Sequence, residues 1–266
     1  MRQERLYRTN AIVLREMDYA EADRILTLLT PEGRVSALAK GVRRPTSRKA
    51  GHLGLFSQIE AMLARGRNFR IITQAECHEP FDFGDDLRRF TCASYVAELA
   101  VRFSQEEEES SALFDLVAQG LDWCRLEDDL DLWMRYFELR LLAIAGYQPE
   151  LHDCVICQTQ LEPVASWFSA ELGGMVCPSC GTDQAQLRQV GLGVFKVLRH
   201  LSRSGTDAVR GLRFRDETHM ALESLLQHYL QYILERELKS PVFMRRLRRE
   251  PFMLHPQQLG SGEADS

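Results

Sequence analysis

The chain has no apolar run long enough to cross a bilayer. The longest in its second half, around Leu141–Ala145, falls far short of the roughly 18 residues a spanning helix needs. The opening MRQERLYRTN has no apolar core behind its charges, so no secretory signal is read there. Both absences predict a cytoplasmic protein without a membrane partner. Internal repeats and low-complexity tracts are also missing. So are the usual catalytic signatures: there is no P-loop, the seven histidines show no HExxH spacing, and no nucleophile has an assignable base. No enzymatic step is expected. The cysteines number seven, an odd count, which with a reducing compartment argues against a disulfide framework.

What is present is ordinary globular material. The 266 residues are 45% hydrophobic and 27% charged, enough for one or two domains with buried cores and incompatible with a wholly disordered chain or a fibrous rod. The net charge of −5 hides an asymmetry. Residues 1–80 carry 14 Lys+Arg against 9 Asp+Glu, a net of +5, and the remainder carries 19 against 29, a net of −10. Local sign governs binding more than the total does.

Residues 1–80 read as five short strands: Tyr7–Arg15, Arg24–Leu29, Arg34–Lys40, Gln58–Leu63 and Asn68–Ala75. Turn residues separate them, at Thr30-Pro31-Glu32-Gly33 and Arg65-Gly66-Arg67-Asn68. Five strands in so short a span predict a closed barrel, because an open sheet would leave edges exposed. The oligonucleotide/oligosaccharide-binding (OB) barrel is the commonest such solution. After Pro80 the period becomes helical, with helices expected over Leu87–Phe103, Ala112–Leu126, Asp129–Ala145, Leu192–Ser202 and Asp216–Lys239. The acidic run Gln105–Ser111 between the first two reads as a solvated loop. The architecture is therefore α+β and multidomain: a barrel (1–80), a helical domain in two parts (81–149 and 183–250), a cysteine module inserted between them (150–182), and a disordered tail (251–266).

Within the module, Cys154-x-x-Cys157 and Cys177-x-x-Cys180 stand nineteen residues apart. Two thiolates on a tight turn reach one metal ion, and two such turns complete a tetrahedron. The spacing points to a single structural Zn2+, with Ser166–Ser169 and Met175–Val176 as hairpin arms between the knuckles. Four thiolates leave no open position, which argues against a zinc hydrolase. Cys77, Cys92 and Cys124 fall in apolar patterns and read as buried small side chains.

The sharpest feature of the first domain is Lys40-Gly41-Val42-Arg43-Arg44-Pro45-Thr46-Ser47-Arg48-Lys49, in which five of ten residues are cationic. It reads as a mobile loop at a barrel edge, suited to following a phosphate backbone. Arg34, Arg65, Arg67 and Arg70 extend the candidate DNA-binding set, and Phe69 offers either a stacking face or a core side chain. A merely solvated loop is the competing reading. A second basic run, Arg245, Arg246, Arg248 and Arg249, reads equally as a DNA or partner contact and as a solvated helix end.

Taken in order, several segments resemble the RecO family of bacterial recombination mediators. They are Ala11-Ile12-Val13-Leu14, Asp23–Thr30, Gly33-Arg34-Val35, Ala39–Arg44, Arg135–Leu142 with Gly146-Tyr147, the cysteine quartet, and Lys239-Ser240. The resemblance covers about residues 5–245. It implies an OB barrel followed by a helical domain carrying the zinc module, in a nucleoid-associated cytoplasmic protein. It also implies binding of single- and double-stranded DNA and annealing of strands coated by single-strand-binding protein (SSB). With RecR, such proteins help load RecA. The acidic SSB tail is implied to dock on the helical domain, and a stripe of Arg135, Leu139 and Leu142 flanked by Arg140 is the expected surface. The alternative from another class is a zinc-stabilised adaptor or transcription-associated protein whose barrel binds protein and whose basic segment is incidental.

Overall fold

Alternation of apolar and polar residues builds the first domain. In the computed structural model, described for residues 6–81, 83–106, 108–182 and 186–235, five strands close into a barrel. They are β1 (Leu6–Tyr19), β2 (Asp23–Thr30), β3 (Gly33–Ala39), β4 (Gln58–Ala64) and β5 (Arg70–Glu79). The order around the barrel is β1-β2-β3-β5-β4, and β4 pairs back onto β1. All neighbours are antiparallel except β3 and β5, which run parallel through only Ala37–Arg70 and Leu38–Ile71. In β3 every second residue is buried, as a strand with one covered face requires. Small inward residues, Ala11, Ala37, Ala39 and Ala61, fill a narrow interior with Leu26, Leu28, Ile59 and Leu63.

The run Ala11-Ile12-Val13-Leu14 is apolar throughout because both faces of β1 are covered. Ala11 and Val13 point into the barrel, while Ile12 and Leu14 belong to the core of the helical domain. β1 also runs four residues past Arg15, the end expected from its apolar pattern. Glu16–Tyr19 pair with β2 in an exposed arm, where Arg24 bridges Glu16 and Asp18, each at 3.0 Å. Such a charged, solvated pairing carries no hydrophobic signature.

The segment after β3, read from its composition as a loop, is internally hydrogen-bonded. It is a chain of turns, with Arg44 N donating to Gly41 O, Ser47 N to Arg44 O and Ala50 N to Ser47 O, ending in a 3-10 turn over Ala50–His52. Gly41 opens it at φ +63°, where a Cβ would strain the backbone. Val42 and Leu53 enter the barrel core and pin both ends. The segment covers the seam left by the short β3–β5 pairing: Lys49 Nζ donates to Ile72 O (3.2 Å) and Cys77 N to His52 Nδ1 (3.2 Å).

The helices α1 (Leu87–Phe103), α2 (Ser111–Leu126) and α3 (Leu130–Ile144) follow. Asp86 and Asp129 cap α1 and α3, their carboxylates accepting from Arg89 N and Leu132 N. The cysteine module comprises β6 (Ser166–Ser169), β7 (Gly174–Val176), the short α4 (Pro178–Gly181) and β8 (Arg188–Val190). β8 pairs with the free edge of β6, so the sheet extends past residue 182. The chain then forms α5 (Leu192–Arg203), α6 (Thr206–Arg210) and α7 (Asp216–Leu234). The end of the last expected helix, Lys239-Ser240, the Arg245–Arg249 run and the tail 251–266 lie outside the described residues.

α3 is the central helix. Eleven of its fifteen residues are buried, between α1 and α2 on one side and α5 and α7 on the other. Gly120 lets α2 approach closely: a Cβ there would lie 2.8 Å from the Phe137 ring and 3.3 Å from Val96. Gly120→Ala is expected to lower stability by roughly 1–2 kcal/mol despite the better helix propensity of alanine. A fall in the thermal midpoint checks this; an unchanged or raised midpoint would contradict the packing described.

The barrel sits on α1 through a polar clasp as well as the Ile12–Leu14 contact. Arg34 N donates to Gln105 O, Ser110 N to Pro31 O, and the Arg34 guanidinium to Val101 O at the end of α1.

Candidate nucleic-acid interface and metal centre

The barrel topology decides which of the basic residues meet. The β1–β2 connection and the end of β3 lie together, because Asp23 pairs with Tyr19 and Ala39 with Arg24, and the β4–β5 turn comes beside the end of β3, because Arg70 pairs with Ala37 and Ile71 with Leu38. Direct contacts tie these connections together. Arg43 N donates to Ala22 O, Gly41 N donates to Asp23 Oδ1 at 2.7 Å, and the Tyr19 and Phe69 rings meet edge to face at 6.3 Å. This end therefore gathers Lys40, Arg43, Arg44, Arg65 and Arg67, all exposed, with Arg70 half-buried behind them. Arg43 also reaches Asp18 at 3.4 Å, which offsets part of its charge. Arg48 is exposed farther along the same segment. Lys49 is half-buried over the barrel seam, and its ammonium is held below the usual lysine range by burial, with Asp23 opposing.

Arg34 does not join this group. It opens β3 while Lys40 follows its end, a separation of about 20 Å along an extended strand. Its guanidinium is engaged in the clasp to α1. Phe69 packs against Tyr19 instead of entering the core. Tyr19, 46% exposed, is a second aromatic ring at this end that the sequence reading missed. Its signal was weak because it lies in the solvated extension of β1.

The expected tail-docking stripe on α3 is overturned by burial. Arg135, Leu139 and Leu142 are 3%, 3% and 0% exposed and form no surface. The physical reason is that α3 is enclosed on nearly all sides, so a second apolar stripe packs against neighbours as the first does. Arg135 is neutralised three residues on by Glu138, with Nη2 to Oε1 at 2.7 Å, and Tyr95 donates its hydroxyl to the same carboxylate. Burial pushes the Glu138 carboxyl up to about 7 against the opposing pull of Arg135 and Tyr95. Arg140 is a clamp: its guanidinium lies over the Tyr136 ring and donates to Ser204 O at 2.8 Å.

The cysteine quartet is assembled as the spacing suggests. Sγ atoms of Cys154, Cys157, Cys177 and Cys180 all lie within 4.8 Å of one another, and Cys157 and Cys177 are 3.8 Å apart. Four sulfurs at about 2.3 Å from a central zinc would be about 3.8 Å apart. Cys177 N donates to Cys154 Sγ at 3.3 Å, a bond that favours thiolate. Hydrogen bonding from Thr159 brings the Cys157 thiol down to about 6, whereas its sulfur neighbours Cys177 and Cys157 hold Cys180 up at about 12. Four thiols so close cannot all ionise without a cation among them. Cys77, Cys92 and Cys124 stand apart from the cluster.

The scaffold around the cluster includes a residue the sequence did not announce. Arg199 of α5 donates to Leu151 O (2.7 Å) and Leu161 O (3.0 Å), flanking the first knuckle, and stacks over the Phe195 ring. Only its place one turn after an apolar residue hinted at this. On the far side, Tyr229 of α7 packs against Phe168 and donates to Tyr147 O, docking the module on the helices.

Comparison with known proteins covers nearly the whole chain. Residues 1–81 match the family model for the N terminus of recombination protein O, and residues 84–241 match the model for its C terminus. A protein of Roseiflexus sp. named DNA repair protein RecO is 39% identical over 260 residues, 97% of this chain and 92% of the relative. One of the same name from Pelotomaculum thermopropionicum is 38% identical over 265 residues, 98% and 99% of the two chains. Another from Desulforudis audaxviator is 38% identical over 244 residues, 91% and 97%.

Proposed function

The chain belongs to the RecO family of DNA repair proteins, and on that premise we propose that it binds DNA at the cationic end of its barrel and anneals complementary strands. The observation that carries this reading is the convergence of Lys40, Arg43, Arg44, Arg65 and Arg67 from two connections, beside the exposed Tyr19 ring and the half-buried Phe69 packed against it. Phosphate contacts need cations on a surface, and sequence-independent strand binding adds aromatic faces for bases. Annealing needs only that repulsion between strands is neutralised while bases stay accessible. No chemical step is required, and the protein acts without catalysis. The acidic helical domain confines DNA to the barrel side.

Partners in this reading are single- and double-stranded DNA, SSB engaged through its acidic C-terminal tail, and RecR, with RecA loaded as the outcome. Tethering to SSB raises the local concentration of the barrel on coated DNA. The surface that receives the tail is not the α3 stripe, which is buried. The cysteine quartet fits a structural zinc ion, held by Cys154, Cys157, Cys177 and Cys180. The ion would supply the positive charge that lets four adjacent thiolates coexist, and no reaction is assigned to it.

The test mixes two complementary strands, each coated with SSB, and follows duplex formation with and without the protein. Intact SSB is compared with SSB lacking its acidic tail. Acceleration that depends on the tail is expected. No acceleration despite tight binding of naked DNA would favour a zinc-stabilised adaptor instead.

A further inference from the structure

Where α7 ends, the helical domain carries a cleft of about 770 Å3 between the ends of α1, α3 and α7 and the start of α2. Its walls include Phe103, Leu141, Ile144 and Ile233, and Glu108 and Glu109 stand at its edge. Ile144 is 43% exposed, unusual for an aliphatic side chain on so buried a helix. Glu106 extends the acidic edge on the same connection. Arg102 also lines the cleft, paired with Glu98 at 3.5 Å, so apolar walls meet a rim on which carboxylates outnumber cations, a surface suited to a segment that is both apolar and cationic.

Such a segment leaves from the rim itself. Ile233 and Leu234 line the cleft, and residues 236–266 follow them. Within these, Pro241-Val242-Phe243-Met244-Arg245-Arg246-Leu247-Arg248-Arg249 interleaves four aliphatic or aromatic residues with four arginines and has no acid. The seven residues from Glu235 to Val242 span at most about 25 Å and on average about 15 Å if flexible. We propose that segment 241–249 of this chain docks in the cleft, with Phe243 and its apolar neighbours against the walls and the arginines facing Glu106, Glu108 and Glu109. Tethering at the rim makes this an intramolecular contact with a high effective concentration. The four arginines are then held on the acidic domain, away from the DNA path at the barrel end. The proposal stands independently of the DNA reading.

Photo-crosslinking of the full-length protein tests it. Phe243 is replaced by p-benzoylphenylalanine, the protein is irradiated without DNA at low salt, and crosslinked peptides are mapped by mass spectrometry. Crosslinks to residues 103–113, 141–147 or 230–235 of the same molecule are expected. Crosslinks elsewhere, or none above the dark control, would overturn the proposal. A mixture of heavy- and light-isotope protein separates copies: crosslinked peptides of mixed isotopic composition would assign the segment to a second copy and overturn it too. Adding E108K and E109K is expected to cut the yield about fivefold, and R245E with R246E in that background to restore it. An unchanged yield would overturn the charge pairing.

Discussion

Replacing Cys154 with serine is expected to abolish the zinc binding proposed for the four-cysteine cluster and to loosen the knuckle between Leu151 and Leu161. Four-thiolate zinc sites contribute on the order of 10–16 kcal/mol of apparent binding free energy, and that energy is available only to the folded module. Cys154 is the most enclosed of the four clustered cysteines and accepts from Cys177 N, so its loss strikes both knuckles. Metal content should fall from about one zinc per chain to near zero. The cobalt-substituted protein should lose its thiolate charge-transfer band. Trp167 reports the local change, because it lies in β6 against Gly181, whose Cβ would fall on the indole ring. Cys77→Ser, outside the cluster, should retain full metal. A C154S protein that keeps its zinc would remove Cys154 from the ligand set.

Removing Arg135 is expected to cost about 3–5 kcal/mol, because it strands a buried carboxylate. In Arg135→Met the side chain keeps most of its volume, but Glu138, 0% exposed, loses the cation at 2.7 Å. The pH dependence has a definite sign. The Glu138 carboxyl is raised to about 7 by burial in the folded protein, above its ordinary 4.5. Between these values the folded state holds a proton that the unfolded state releases. Stability therefore falls as pH rises through that window. Loss of Arg135 raises the carboxyl further, so the penalty should be greater at pH 8 than at pH 5.5. Adding Glu138→Gln should remove most of the difference. Denaturant midpoints followed by Trp123 and Trp133, stacked at 4.8 Å in this core, provide the readout. A penalty independent of pH would contradict a buried, titrating Glu138.

These two sites show how far local pattern reaches. The assembly of the cysteine quartet was legible because it is encoded in spacing: tight turns bring such cysteines together whatever surrounds them. The helix α1 was legible to the residue, since Asp86 caps it and its apolar period runs unbroken from Leu87 to Phe103. The Arg135 stripe was misread for a tertiary reason. A cation beside leucines on one helix looks the same in sequence whether the neighbouring helix is water or protein, and its partners Tyr95 and Glu223 come from α1 and α7. Arg34 was misassigned likewise. Composition placed it in a basic domain, but strand direction put it at the far end of β3, where the barrel meets α1. The Lys40–Lys49 segment has the glycine, proline and serine of a free loop. The two residues that fix it, Val42 and Leu53, are ordinary aliphatics whose burial depends on the gap between β3 and β5.

The central claim, that the cationic end of the barrel holds the phosphate backbone, is tested most directly by the salt dependence of single-strand binding. Four proteins are compared: the unaltered chain, R43A/R44A, R65A/R67A, and K196A as an exposed control on the helical domain. Each phosphate contact contributes about 0.7 to the slope of log affinity against log salt on single strands. Each double variant should therefore bind more weakly and show a slope shallower by about one to one and a half units. The control should match the unaltered chain. Slopes unchanged in both double variants would show that DNA does not run across this end of the barrel.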